Sequence, residues 1–185
     1  ARSGLGLVPR RLPGLGELWC APLPRAEIEE RIELVHRPYH TAIARTLEAM
    51  RDRWGAAVLL DLHSMPPLGP KTGREPAADY VVGDRFGGSV DSRFTAAAFD
   101  YFEAQGADAV HNRPYAGGYV LDRHGAPSRG INALQLEICR AAYLDDDLRD
   151  EGIGLPGVVR MVSGLVRRLA DEVADGTLPM AQAAE

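Results

Sequence analysis

The sequence lacks several features that would assign it to a common class of protein. Its 185 residues include two cysteines, Cys20 and Cys139, too few for a disulfide scaffold and without zinc-finger spacing. No apolar run reaches the ~18–20 residues of a membrane helix, which predicts no membrane partner. The net charge of -5 and the pI near 5.6 predict no nucleic-acid partner, because surfaces that follow phosphates are usually basic. At 45% hydrophobic residues, the chain is also too apolar for disorder.

Common catalytic motifs are absent as well. No G-x-G-x-x-G opens a helix after a strand and no G-x-x-x-x-G-K-[ST] occurs, so nothing indicates a nucleotide site. The sequence contains neither G-x-S-x-G, the nucleophile elbow, nor H-E-x-x-H, the common zinc-protease signature. Any catalytic chemistry must therefore come from residues outside these motifs.

The hydrophobic pattern predicts helices and short strands in alternation. Three helices are expected: 25–53 with a kink or break at Pro38, a segment from Ser89 or Asp91 to Gln105, and 158–173. Four short strands are expected: 56–62, 79–82, 107–111 and 133–139. A hairpin is expected near 122–125, inside the Gly/Pro-rich loop 112–130. This order predicts a single α/β domain over residues 1–185, with a mostly parallel mixed sheet flanked by helices.

Polar residues stand at or just past three of the predicted strands. They are His63, the Asn112–Arg113 pair and Glu137. Ligands of parallel sheets bind beyond the carboxyl ends of the strands. We therefore expect the candidate site at that edge of the sheet.

His63 ends an apolar strand, and two interpretations of it stay open. A neutral imidazole at a strand end is a good zinc ligand, whereas a histidine packed there can simply hydrogen-bond to backbone. Asp61 lies two residues earlier and therefore on the same face. It could orient His63 or cap a turn. A complete zinc site needs about three protein ligands, and these residues supply one.

Glu137 is a carboxylate within an otherwise apolar strand. A buried charge is costly unless it has a partner or a task. Burial would raise its pKa toward the range of a general base, while a salt bridge to Arg140 or another arginine is the structural alternative.

The loop 112–130 is rich in arginine and tyrosine. Arginine forks bind carboxylates at two points, so the loop could hold an anionic small substrate, or it could be an ordinary solvated loop. The polar candidates there are Arg113, Tyr115, Tyr119, Arg123, His124 and Arg129. His40 follows Pro38 on the first helix and, by itself, is expected to be a core or capping residue.

Six segments together resemble the N-formylglutamate amidohydrolase family, in the expected order over most of residues 3–145. They are GLGLVPRR near the start, RPYH (37–40), LLDLHSMPP (59–67), YVVGDRFG (80–87), NRPYAGGYV (112–120) and RGINALQLEICRAAYLD (129–145). The HSM-P segment and the pair NRPYAGGY…ALQLEI are the most specific of these.

The resemblance implies a three-layer fold and a site related to the zinc carboxypeptidases. It implies hydrolysis of N-formyl-L-glutamate to formate and L-glutamate, in histidine degradation, with one Zn2+ ion as cofactor. By position in the motifs, His63 would be a metal ligand, and Glu137 would be the general base for a zinc-activated water.

The implied substrate is a small N-acyl amino acid with two carboxylates. Arg113 and Arg129 are its expected cationic partners and Arg123 the reserve, with Tyr119 and His40 as further hydrogen-bond donors.

The family's N-terminal Pro-His-x-Gly motif is not in this sequence. We therefore expect the other metal ligands outside this chain. Two alternatives stay open: a related zinc amidohydrolase acting on another N-acyl amino acid or small peptide, and a non-catalytic ligand-binding remnant. The lack of a signal-like apolar stretch predicts a cytoplasmic protein, and the sequence gives no oligomeric state.

Overall fold

The chain divides into two compact units, Ala1–Arg45 and Thr46–Glu185. The computed structural model describes residues 8–12, 14, 16–70 and 77–177. In that part of the chain, no helix has the length and apolar character needed to cross a membrane. The single domain expected over residues 1–185 stays a prediction.

The first unit contains a small hairpin and the start of a long helical segment. Strand β1 (Arg11–Leu12) pairs antiparallel with β2 (Gly16–Glu17). Helix α1 (Arg25–Arg31) continues into one wide π-helical turn (Ile32–His36) and then into α2 (Arg37–Trp54), which runs on into the second unit.

The π-helical turn is the form that the expected break at Pro38 takes. Proline has no N–H to donate to the preceding turn of a helix. A single wide turn is a known way to absorb such an interruption without ending the helix. The predicted long helix with a local break is confirmed.

Seven labelled elements follow α2 in the described part of the second unit. They are β3 (Ala57–Met65), β4 (Tyr80–Gly83), α3 (Ser92–Ala104), β5 (Ala109–His111), α4 (Tyr119–His124), β6 (Ile131–Cys139) and α5 (Leu155–Thr177). Helix α3 begins after Asp91, whose carboxylate accepts the Arg93 N–H, as expected for that cap.

The prediction of a hairpin near 122–125 is wrong, because the helix α4 (Tyr119–His124) occupies this position. The N–H groups of Leu121 and Asp122 both donate to Gly118 O, which starts a helical turn. The turn directs Leu121 into the interior, where it is fully buried. Burial of this one apolar side chain favours a helical turn over a hairpin.

The main sheet has the strand order β3-β6-β4-β5. Strands β3 and β6 pair in parallel, as do β4 and β5, but β4 and β6 are antiparallel. The mixed sheet flanked by helices is therefore confirmed. The expectation that all strands end at the same edge of the sheet is wrong, because β4 and β5 run opposite to β3 and β6. Arg113, just after β5, therefore starts from the opposite edge to His63 and Glu137.

One face of the sheet forms the main hydrophobic core. Leu134, Leu136 and Ile138 point into it from the central strand β6, and Phe94, Phe102, Leu165 and Leu169 cover them from α3 and α5. Apolar and polar side chains thus alternate between the two faces along β6, as successive residues of a strand do.

The opposite face carries the polar residues, and it is covered too. All nine residues of β6 are buried. Tyr115, in the loop before α4, packs against Met65, Val81 and Cys139 on this side of the sheet. Glu137 therefore lies in an enclosed environment and not on an open surface.

Candidate active site

His63 and Glu137 are direct neighbours on adjacent parallel strands. They are register partners in the pairing of β3 with β6, and the pair two residues earlier, on the same face, is Asp61 with Gln135. Neighbouring strands lie about 4.8 Å apart. Four polar side chains therefore share one small area of the sheet, near the carboxyl ends of both strands.

His63 has a carboxylate partner that orients its ring. Its Nε2 lies 3.0 Å from Asp61 Oδ2, and the His63 side chain is 46% exposed. An ionised carboxylate can only accept, so in a neutral imidazole Nε2 carries the proton and Nδ1 keeps its lone pair. Of the two roles left open for Asp61, the orienting one is confirmed. The lone pair on Nδ1 is the group that a metal ligand requires.

Glu137 is 6% exposed, and its pKa is raised from the usual value. Burial is the main cause, because it penalises the charged form. The positive charge of His63 in its protonated form and the hydrogen bond from Gln135 act in the opposite direction. The net direction is the one a general base working near neutrality needs.

Arg140, the alternative partner of Glu137, binds elsewhere. Its Nε donates to Ser64 Oγ at 3.4 Å, next to His63. Its charge still lowers the pKa of Glu137, but as the weakest of the contributions. A charged arginine is thus close to the site without neutralising Glu137.

The loop after β5 is anchored at its start by a buried carboxylate. Asn112 donates from Nδ2 to Asp84 Oδ1 at 2.7 Å and accepts the Asp84 N–H at 3.0 Å. Asp84 also accepts from the Gly87 N–H, from Thr95 Oγ1 and from His111 Nε2. This network fixes the point at which the loop leaves the sheet.

From there the loop crosses the face of the sheet that carries Glu137. The Arg113–Pro114 peptide is cis. A side chain on Gly83 would place Cβ 2.7 Å from Gly117 N and 2.8 Å from Ala116 C, so the loop touches the backbone of β4. Glycine at 83 is what permits this close approach.

The loop reaches the site at Gly118, the cap of α4. The Gly118 N–H donates to Gln135 Oε1 at 3.0 Å, and Gln135 Nε2 donates to Glu137 Oε1 at 2.8 Å. Arg85 also binds this segment: its Nη1 donates to Gly117 O and its Nε donates to Asp122 Oδ1.

The expected substrate residues are spread over this loop and beyond. Arg113 begins the crossing segment and is exposed. Tyr119 directly follows Gly118, and Arg123 Nη1 donates to the Tyr119 hydroxyl at 2.9 Å. Arg129 lies before the first residue of β6, and the six-residue step from Ile131 to Glu137 spans about 20 Å along the strand. The structure does not bring Arg129 together with Glu137.

His40 belongs to the first unit. It is buried on α2, with its ring 4.4 Å from that of His36 and 5.0 Å from that of Tyr39. This environment matches the core role that the residue alone predicts, and its role toward a substrate stays a prediction.

Sequence reasoning missed Gln135 and Asp84. Gln135 lies two residues before Glu137 and so shares its face of the strand, but only the three-dimensional structure shows its contact with Gly118. Asp84 stands in a glycine-rich loop segment, and its partner Asn112 lies 28 residues away. The polar residues of β6 were the available signal for the first, and the segment YVVGDRFG (80–87), which contains Asp84, was the signal for the second.

The described residues contain no group of three His, Cys, Asp or Glu side chains that could hold a metal ion. His63, whose Nδ1 keeps its lone pair when Nε2 donates to Asp61, fits the role of one ligand. Zinc sites in enzymes use three protein ligands, so this part of the chain does not complete one.

A buried carboxylate of raised pKa lies beside an oriented imidazole on a mixed α/β sheet, an arrangement suited to acid–base chemistry. The N-formylglutamate amidohydrolase family model matches residues 1–144, most of the chain. The chain therefore belongs to the N-formylglutamate amidohydrolase family.

Two curated relatives carry the name N-formylglutamate deformylase. The one from Pseudomonas putida is 30% identical over 125 residues, which cover 66% of this chain and 47% of the relative. The one from Pseudomonas aeruginosa is 32% identical over 124 residues, which cover 64% of this chain and 46% of the relative. The chain spans about half the length of the curated relatives it matches.

Two solved structures share the fold. The crystal structure of N-formylglutamate amidohydrolase from Ralstonia eutropha JMP134 superposes with a TM-score of 0.83 at 30% identity, over 95% of this chain and 64% of that one. The crystal structure of a gene product of Agrobacterium tumefaciens gives a TM-score of 0.62 at 18% identity, over 89% of this chain and 62% of that one. This second likeness supports the fold alone.

Proposed function

We propose that this chain carries the general base of an enzyme that hydrolyses N-formyl-L-glutamate to formate and L-glutamate. The observation that carries the proposal is the position of Glu137: buried, of raised pKa, and next to His63 on the adjacent strand. Family membership and two relatives named N-formylglutamate deformylase support the substrate. Through the same resemblance, the reaction would belong to histidine degradation. The cytoplasmic location stays a prediction from the sequence.

Glu137 would move one proton twice. Its carboxylate takes a proton from water as the water oxygen bonds to the formyl carbon. The C–N bond then breaks, and Glu137 returns the proton to the departing amine of glutamate. The enclosed face of the sheet favours this cycle, because burial raises the pKa of Glu137 toward the neutral range in which a general base works best.

Zinc is part of the proposal through His63. Asp61 orients the imidazole so that Nδ1 is available, and the remaining ligands would come from outside the described residues. When bound, such an ion would polarise the formyl carbonyl and favour ionisation of water. A relation to the zinc carboxypeptidases stays part of this proposal.

The substrate's carboxylates would bind to the loop that crosses the site. Arg113 is the first candidate, since it begins the crossing segment, and the Arg123–Tyr119 pair beside Gly118 is the second. Guanidinium groups bind carboxylates at two points and so can fix the substrate's orientation. Arg129 and His40 stay predictions from the sequence, and the distance of Arg129 from Glu137 does not favour it.

The test is formate release from N-formyl-L-glutamate, measured with and without a chelator and after zinc is added back. Chelator-sensitive turnover restored by zinc is expected. Turnover that a chelator leaves unchanged would contradict the metal part of the proposal but not the substrate.

A panel of N-acetylglutamate, N-formylaspartate and short formyl-peptides separates the alternatives. Faster turnover of another member would identify a related amidohydrolase. Binding of N-formylglutamate by calorimetry, without turnover in zinc-loaded protein, would indicate a ligand-binding remnant.

A further inference from the structure

Gln135 connects the proposed base to the loop that crosses the site. It lies two residues before Glu137 on β6, on the same face, and is 5% exposed. Its Nε2 donates to Glu137 Oε1 at 2.8 Å, and its Oε1 accepts the Gly118 N–H at 3.0 Å. Both ends of this buried amide are therefore engaged.

The backbone decides which way the amide of Gln135 points. A backbone N–H can only donate, so the oxygen of the amide must face Gly118 and its NH2 group must face Glu137. Glu137 Oε1 is consequently held as a hydrogen-bond acceptor. The two oxygens of Glu137 are then unequal, and Oε2 is the one without this fixed donor.

We propose that Gln135 is a positioning residue that keeps Glu137 Oε1 as an acceptor and leaves Oε2 to exchange the proton with water and with the leaving amine. The inference rests on the proposed function, since it assigns the proton of that reaction to one oxygen. Water loses its proton to Oε2 as its oxygen bonds to the formyl carbon. The same proton passes from Oε2 to the amine nitrogen as the C–N bond breaks.

The same amide also relates the base to the substrate loop. Gly118 caps α4, which begins with Tyr119, and Arg113 lies five residues earlier in the crossing segment. Gln135 thus fixes the direction of the carboxylate relative to the segment expected to hold the substrate. Catalysis by a base depends on such geometry, because a small misplacement lowers the rate without preventing binding.

Two substitutions separate positioning from mere attachment of the loop. In its ionised form, Gln135→Glu keeps an acceptor for the Gly118 N–H but removes the donor to Glu137 and adds a charge. Gln135→Met removes both hydrogen bonds without adding charge. The measurements are kcat and KM for formate release and the solvent exchange of the Gly118 amide by NMR.

We expect both variants to lower kcat by about 10-fold or more, part of the ~10²–10⁴-fold that general-base catalysis supplies. KM should stay within about 2-fold of wild type in Gln135→Glu, which keeps the loop attached. The Gly118 amide should stay protected in Gln135→Glu and exchange faster in Gln135→Met. The control is Gln105→Glu, the same change at an exposed position after α3, which should match wild type.

Several results would overturn the inference. If Gln135→Glu keeps a wild-type kcat, the residue only attaches the loop. If Gln135→Met keeps a wild-type kcat, the donor is not needed and any loss in Gln135→Glu comes from charge repulsion.

A wild-type protein inactive on N-formylglutamate would contradict the proposed substrate. The contact between Gln135 and Glu137 is then tested by a measurement that needs no substrate. Solvent exchange of the Gln135 side-chain NH2 should increase in Glu137→Ala, whatever the substrate. Unchanged exchange would show that Gln135 does not bind Glu137 and would overturn the inference.

Discussion

Glu137 is the single residue on which the proposed chemistry depends most. Glu137→Gln keeps the shape of the side chain but cannot accept and return a proton. We expect kcat for formate release to fall by ~10²–10⁴-fold, with KM nearly unchanged. Steady-state kinetics check this against Glu103→Gln, the same change at an exposed position on α3. Activity kept within about 10-fold would contradict the role of Glu137 as the base.

Asp84 is a second buried carboxylate, and its hydrogen bonds are expected to stabilise the fold. The carboxylate is 3% exposed, and burial alone would raise its pKa. The hydrogen bonds from Asn112, Gly87 and His111 outweigh burial and lower the pKa below 3.8. A lowered folded-state pKa stabilises the fold above the unfolded value, and this stabilisation is lost as pH falls through the folded value.

Asp84→Asn should therefore reduce the free energy of unfolding at neutral pH by about 1–3 kcal/mol, because the amide cannot satisfy the same donors. The variant should also lose less stability than wild type as pH is lowered below 3.8. Denaturant titrations at a series of pH values measure both effects. Asp147→Asn, at an exposed position, is the matched control. Parallel pH profiles for wild type and Asp84→Asn would show that Asp84 does not titrate as proposed.

At the scale of elements, two glycines in α5 allow opposite predictions. A side chain on Gly157 would meet only Arg160 Nη2, at 4.0 Å, so Gly157→Ala should stabilise by about 0.5–1 kcal/mol through helix propensity. A side chain on Gly164 would overlap the hydroxyl of Tyr101 and lie 2.8 Å from its Cζ. Gly164→Ala should therefore destabilise by about 1–3 kcal/mol, since α3 and α5 pack closely there.

Thermal or denaturant unfolding of both variants checks this pair. The penalty of Gly164→Ala should shrink when Tyr101 is also changed to Ala, because the overlapping ring is then gone. Equal penalties in the two backgrounds would locate the cost in α5 itself and not in its packing against α3.

Most elements were predictable from local pattern. The break at Pro38, the cap at Asp91 and the alternation along β6 follow from backbone chemistry and side-chain period. The helical turn α4 within the loop 112–130 was not predictable in this way. It depends on burial of Leu121, which exists only in the folded protein. The direction of β4 and β5 is also invisible in the sequence, since a strand reads alike in either direction.

At the scale of the whole molecule, burial is unevenly distributed. All nine residues of β6 are buried, whereas α1 and the π-helical turn contain no buried residue. Hydrogen-exchange mass spectrometry should find the slowest amides in β6 and the fastest helical amides in α1 and the turn after it. Protection in α1 equal to that in β6 would contradict this gradient.

The sequence alone determined the family and the two residues of the proposed chemistry. Local chemistry was enough for this, because a histidine at a strand end and a carboxylate in an apolar strand are unusual in any fold. The tertiary structure alone decided which residues meet. Strand pairing makes His63 and Glu137 neighbours, and the reversed direction of β4 and β5 sends the loop from Arg113 back across the sheet to Gln135. Contacts between residues far apart in sequence depend on pairing and direction, which no local pattern specifies.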